Sequence, residues 1–222
     1  MTSVLGVDGC KGGWVGALLL GTAVSWRFWP TAAGFLSEPV DVVAVDIPIG
    51  LPTRGVRACD VLARRGLPGQ GSSVFPAPIR AVLAATTYAQ ARALSVAVDG
   101  RSLSAQAFGI VPKVAEVDAA RGLVRGELLE VHPELSFSRL AGVGGLPVPL
   151  PRKKSAAGAL ARVQLLTSAF GELPLDPPPQ ASLDDCLDAL ACLWTGLRWL
   201  RGEAEVVGDE LDPTGQVMRI VT

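Results

Sequence analysis

The stretch VLGVDGCKGG, residues 4–13, decides how this chain is read. It is apolar from Val4 to Val7, ends on the carboxylate of Asp8 and then breaks into glycines. A valine-rich run without polar interruption predicts a short strand over 3–8 that is covered on both faces. The pattern returns at VVAVDIPIG, where Asp46 closes a second apolar run and predicts a strand over 41–47. Between them, WVGALLL (14–20), the turn GT and AVSWRFW (23–29) predict a hairpin, and TAAGFLSE (31–38) one short crossover helix. A right-handed crossover then sets the strands ending in Asp8 and Asp46 side by side and parallel. Their carboxyl ends coincide, and in open α/β sheets that edge is where ligands bind.

Outward from this pair the chain changes character. Residues 49–125 are punctuated by Pro and Gly, with helical stretches expected near 56–65, 77–95 and 113–121. They read as a mostly helical insertion or cap within one domain spanning 1–222. GELLEVHPELSF (126–137) returns to strand character through Val131, with a turn expected at Pro133, and GGLPVPLP (144–151) reads as a rigid loop. Two helices are predicted at about 153–171 and 183–201, separated by LPLDPPPQ (173–180), and the tail GQVMRIVT (215–222) as an edge strand.

Composition bounds the function. With 222 residues, 49% apolar and 18% charged, the chain can bury a sizeable core and is not disordered. A formal net charge of -1 creates no strong field for polyanions. Four cysteines without a CxxC pair, and a single histidine, argue against a zinc site of standard spacing. Buried thiols in a reducing cytoplasm are the expected reading. Neither a signal peptide nor an apolar run of the ~20 residues that span a bilayer is visible, so a cytoplasmic protein without a membrane partner is expected.

The last predicted helix, SLDDCLDALACLWTGLRWL (182–200), carries a third group of acids. Leu183, Leu187, Leu190, Trp194 and Leu197 recur at helical spacing as one core-facing stripe, with Asp184 and Asp188 on its flank and Asp185 further round. Like charges this close oppose the helix by a few tenths of a kcal/mol, roughly, and a divalent cation would remove that penalty. Ser182 with Asp185 also matches a capping box, which accounts for the first-turn acids but not for Asp188. Mg²⁺ prefers a few carboxylates, waters and a phosphate, and two strand tips plus one helix supply such carboxylates.

The motifs GVDGCKGGW (6–14), DIPIGLP (46–52), CDVLAR (59–64), SSVFPAP (72–78), SAQAFGIVPKVAEVD (104–118), EVHPELSF (130–137) and DDCLDALACLWT (184–195) together resemble a bacterial family. It is domain-of-unknown-function family 429, described as predicted ribonuclease-H-like nucleases, and the resemblance covers nearly the whole chain. It implies an α/β ribonuclease-H-like fold: a mixed five-stranded sheet, an antiparallel hairpin beside the strands ending in Asp8 and Asp46, and helices on both faces. DDCLDALA is also similar to the final helix of crossover-junction resolvases, where two acids three apart bind metal. By that similarity Asp185 and Asp188 join Asp8 and Asp46 as the catalytic carboxylates. The expected metal ligands are Asp8, Asp46 and Asp188, with Glu130 or Glu134 as outer ligands or else surface acids.

The resulting expectation is hydrolysis of phosphodiester bonds with two Mg²⁺ or Mn²⁺ ions about 3.5–4 Å apart. Lys11, Arg57, Ser73, Gln106, Lys113 and Lys153 are the substrate-binding candidates, toward nucleic acid or a small phosphodiester. The large insertion, and the lack of a histidine near the final acids, depart from the nuclease pattern and leave the substrate open. The alternative is a non-catalytic module that binds nucleic acid or a small ligand on the same fold. A nucleotide-triphosphate enzyme is disfavoured, because GVDGCKGG has neither the P-loop Ser or Thr after Lys nor the dinucleotide glycine spacing. Nucleophile chemistry at Ser72, Ser73 or Cys10 has no base beyond His132.

Overall fold

A computed structural model of the protein describes residues 2–67, 69–142 and 148–222. Strands β1 (Ser3–Cys10), β2 (Gly13–Leu20), β3 (Ala23–Trp29), β4 (Val42–Val45) and β5 (Glu127–Glu130) form one mixed sheet in the order β3-β2-β1-β4-β5. β1 and β2 are antiparallel, as are β2 and β3, whereas β1, β4 and β5 run parallel. The short helix α1 (Ala32–Leu36) makes the crossover into β4, as the sequence predicts.

Two-residue alternation sorts the side chains of these strands between two cores. Leu5, Val7, Val43 and Val45 face one layer with Phe35 and Leu36 of α1 and Val114 and Val117 of α4 (Ala105–Ala120). Val4, Val42, Ala44 and Leu129 face the other, against α5 (Pro133–Leu140), α6 (Ala156–Phe170) and α7 (Leu183–Leu200). Gly6 shares that second face. A Cβ there would lie 2.2 Å from the Ala189 carbonyl oxygen, so the absence of a side chain lets α7 rest directly on the centre of the sheet.

The insertion between β4 and β5 is mostly helical, but its boundaries differ from the expected ones. Its helices are α2 (Ala58–Arg65), α3 (Tyr88–Asp99) and α4, with a short 3-10 turn at Arg80–Ala84. Pro112 lies inside α4 instead of opening a helix near 113. A proline there removes one backbone hydrogen bond, and burial of Val111, Val114 and Val117 outweighs the loss. Pro133 likewise starts α5 at its first position, where a missing N–H is harmless, rather than marking a turn.

The tail strand β7 (Val217–Val221) pairs with β6 (Val206–Leu211), which alternation did not reveal, in a separate two-stranded sheet. It meets the main sheet through a Val131–Val221 bridge. The stripe expected on α7 is also broader than predicted. Leu183 is 58% exposed, while Cys186 to Leu193 are buried all round the helix. Of the loop expected at 144–151, residues 144–147 lie outside the described residues. Among the described residues, no helix is long and apolar enough to cross a membrane.

Candidate functional site

Sheet register places the first two acids. Val7 pairs with Val45, so Asp8 and Asp46 occupy the next row of neighbouring parallel strands, and the Asp46 N–H donates to the Val7 carbonyl at 3.0 Å. By alternation with Val4 and Gly6 on β1, and with Val42 and Ala44 on β4, both carboxylates belong to the face covered by α7. Asp188 comes from that helix and is only 4% exposed. The three acids line one cavity of about 960 Å³.

The electrostatics are those of negative charge without enough compensation. Burial pushes Asp8 well above the ordinary carboxylate range, and Asp46, Asp188 and Asp185 add to the shift. The Gly9 N–H, 2.7 Å from Asp8 Oδ1, acts in the opposite sense. Burial pushes Asp46 up to about 7, opposed by Lys153 and reinforced by Glu130 and Glu134. Asp188 also rises to about 7 through burial, although the Lys153 Nζ donates to its Oδ2 at 2.8 Å. Burial alone would lower the Lys153 ammonium, but Asp188, Asp46 and Asp8 together hold it above its usual value. One ammonium thus sits among three carboxylates that favour protonation.

Asp185 lines the cavity but is committed to the helix end. Its Oδ2 accepts from the Ser182 N–H at 2.8 Å, and Ser182 Oγ accepts from the Asp185 N–H at 3.4 Å, a reciprocal cap. Glu130 is not a free ligand. It is one residue out of phase with Asp46, because Val45 pairs with Glu130 and the row of Asp46 is met by Val131. Its Oε1 accepts from Arg57 Nη2 at 2.6 Å, and its Oε2 from Arg57 Nη1 at 2.7 Å and the Ile49 N–H at 2.6 Å. Glu134 pairs with Arg162 at 2.6 Å through Oε2.

The substrate-binding candidates divide similarly. Arg57 is 1% exposed, and its donors go to Glu130, Asp60 and the carbonyls of Ile49 and Gly50, so it braces the site and is not free to meet a phosphate. Lys113 donates from Nζ to the Gly13 carbonyl at 2.5 Å and lies 4.2 Å over the Trp14 ring, tying α4 to the β1–β2 turn. Lys11 is exposed in that turn, beside Gly12 at φ 78°, and does not itself line the cavity. Ser73 lines the cavity with its hydroxyl donating to the Gln70 carbonyl at 2.8 Å. Gln106 lines it with an exposed side chain. Glu116 instead accepts from Trp14 Nε1 and the Ala32 N–H, bracing the hairpin against α1.

One residue was not assigned to the acids from sequence. His132, distant from the final acids along the chain, lines the same cavity. Its Nε2 is 3.3 Å from the Ser73 carbonyl, and its buried Nδ1 has no partner among the described residues. Burial lowers its proton affinity, against the pull of Glu134, Asp188 and Glu130. The signal was positional: EVHPELSF leaves β5 beside the strand that ends in Asp46. The cysteines Cys10, Cys59, Cys186 and Cys192 are all buried and free.

The donor set suits a hard cation in kind: carboxylate oxygens, half-buried at Asp8 and Asp46 and buried at Asp188, whose proton affinity burial and like charge raise. Among the described residues, no three His, Cys, Asp or Glu side chains are gathered tightly enough to ligate one ion as they stand. Asp188 is held by Lys153 instead. The chain matches the family described as Protein of unknown function (DUF429) over residues 6–212, and it belongs to that family. No curated protein and no solved structure matches it.

Proposed function

We propose that this member of the DUF429 family is a divalent-metal-dependent phosphodiester hydrolase, a nuclease with a ribonuclease-H-like sheet. The observation that carries the reading is the placement of Asp8 and Asp46 in adjacent strand-end rows, with Asp188 of α7 in the same cavity. Carboxylates from three distant stretches of chain converge there with raised proton affinity, a combination that clusters at functional sites.

Asp8, Asp46 and Asp188 are the residues that would hold Mg²⁺ or Mn²⁺. The ion would supply a Lewis acid, and a water of lowered pKa, beside the phosphodiester. The chain's own groups do the rest. The strand ends fix Asp8 and Asp46 rigidly. Lys153 holds Asp188 and offers a cation to a phosphate oxygen when that pair opens. His132, whose proton affinity burial lowers, has a ring nitrogen without a partner among the described residues, and it would be the group to accept a proton.

The Lys153–Asp188 pair favours one second reading, a module that binds a phosphate-bearing ligand without cleaving it, since its own ammonium partly balances the acids. One experiment separates the two. Wild type and Asp8→Asn are assayed with Mn²⁺ on single-stranded, duplex, hybrid and junction substrates, alongside anomalous scattering from Mn²⁺-soaked crystals. Cleavage lost in Asp8→Asn, with Mn²⁺ density beside Asp8, supports the hydrolase. Equal cleavage by both proteins means a contaminant, and none by either leaves the binding module.

A further inference from the structure

We infer that the cavity accepts unpaired nucleotides, a single-stranded end or loop, with a base stacked on Phe75. This deepens the hydrolase reading and rests on it.

Phe75 is 42% exposed, yet it is not a stray surface aromatic, because it lines the same cavity as Asp8 and Asp46. The backbone on either side is anchored. Val74 is 2% exposed in the core, and the Ala77 N–H donates to the buried Asp60 at 3.0 Å. The backbone that carries the ring is therefore fixed at the cavity, and a platform on anchored backbone costs less to order when a base stacks on it.

Two residues one turn apart on α4 complete this wall. Ile110 is half-buried and apolar, and Gln106 is exposed, with an amide that can both donate and accept. Gln106 has no side-chain partner among the described residues. Apolar surface beside an unpaired amide matches a base, which has a flat face and a hydrogen-bonding edge. The phosphates have their own candidates in Arg152 and Lys154, which line the cavity with exposed side chains while Lys153 between them turns to Asp188.

Size and stacking favour a single strand over a duplex. At about 960 Å³ the cavity is at the upper end of small-molecule pockets, room for one or two nucleotides. A paired base has both faces covered by its neighbours and cannot reach Phe75 without leaving the stack. Recognition of splayed bases on aromatic rings belongs to single-stranded substrates.

The test is fluorescence anisotropy of the full-length protein in Ca²⁺, with a labelled oligo-dT and a self-complementary duplex of the same length. Oligo-dT is expected to bind more tightly, Phe75→Ala to weaken it by roughly 5- to 100-fold, and Phe75→Trp to retain it. The Phe75→Ala deficit should persist as salt is raised, since stacking releases no counterions. Equal affinity for the duplex, or unchanged oligo-dT binding by Phe75→Ala, overturns the inference. In that event, duplex cleavage lost in Asp8→Asn leaves the hydrolase reading standing. Phe75-dependent oligo-dT binding without any cleavage supports the occupant and removes the hydrolase instead.

Discussion

Asp46 and Glu130 stand at the ends of neighbouring parallel strands and line the same cavity, yet Glu130 is paired with a guanidinium and Asp46 is not. Around Glu130 the balance is internal. Arg57 joins Glu130 and Asp60, carbonyls of the loop after β4 take its remaining donors, and both Glu130 oxygens are occupied. Around Asp46 it is not, and Lys153 is shared among Asp8, Asp46 and Asp188. A fold that can neutralise buried carboxylates this completely leaves them unneutralised one row away. Charge pairing, more than burial, separates the brace from the site.

The largest effect belongs to the brace. Glu130→Leu leaves the Arg57 charge with Asp60 alone and the Ile49 N–H without its acceptor. Losing one partner of a buried pair costs about 3–5 kcal/mol, read as a lower urea midpoint at unchanged slope. Should the variant fail to fold, the Arg57→Met, Glu130→Met double variant recovers part of the loss, because no charge is then left uncompensated. A loss below about 1 kcal/mol would erase the contrast between the two regions.

Asp8→Asn should act in the opposite direction. It removes a repelling charge and keeps an oxygen for the Gly9 N–H, so metal-free protein is expected to gain on the order of 1 kcal/mol and about 2–4 °C in Tm. The sign of the pH dependence follows from linkage. Asp8 has a folded-state pKa above its unfolded one, so it takes up a proton on folding. The penalty in wild type is then fully present above the folded value and fades as pH falls through it toward the unfolded one. Asp46 and Asp188, at about 7, follow the same direction, whereas His132, lowered by burial, gains stability with rising pH in that window. The clean readout is therefore the Tm difference between Asp8→Asn and wild type in EDTA, larger at pH 8 than at pH 5. A difference that is flat, or reversed in sign, would place Asp8 with the compensated acids.

The parts legible in sequence were those governed by local pattern. The valine runs closed by Asp8 and Asp46, the hairpin between them and the crossover all follow from uninterrupted apolar runs and turn residues. Asp188 was legible because a carboxylate beside the apolar stripe of a helix needs an explanation. What failed depended on tertiary context. Pro112 and Pro133 were read as breaks because packing against α4 and the N1 position of α5 cannot be seen locally. Lys113 and Arg57 read as free cations because Gly13 and Glu130 are 100 and 73 residues away, although Asp60, three residues after Arg57, was a local partner. His132 was missed for the same reason, since the cavity joins it to acids from three distant segments.

The smallest expected effect sharpens the boundary between the regions at Asp185, which belongs to both. Its carboxylate caps α7 through the Ser182 N–H, and its charge also raises the proton affinity of Asp8. Asp185→Asn keeps an acceptor for the cap, so metal-free stability should change by no more than a few tenths of a kcal/mol, roughly, while Asp185→Ala removes the cap and should cost about 0.5–1 kcal/mol. Cleavage divides the two roles. If Asp185 serves only as a cap, Asp185→Asn retains Mn²⁺-dependent activity and Asp185→Ala loses a little through local fraying. If it also meets the ion, both variants lose activity equally despite their different stabilities, and the acid cluster extends from the strand ends to the first turn of α7.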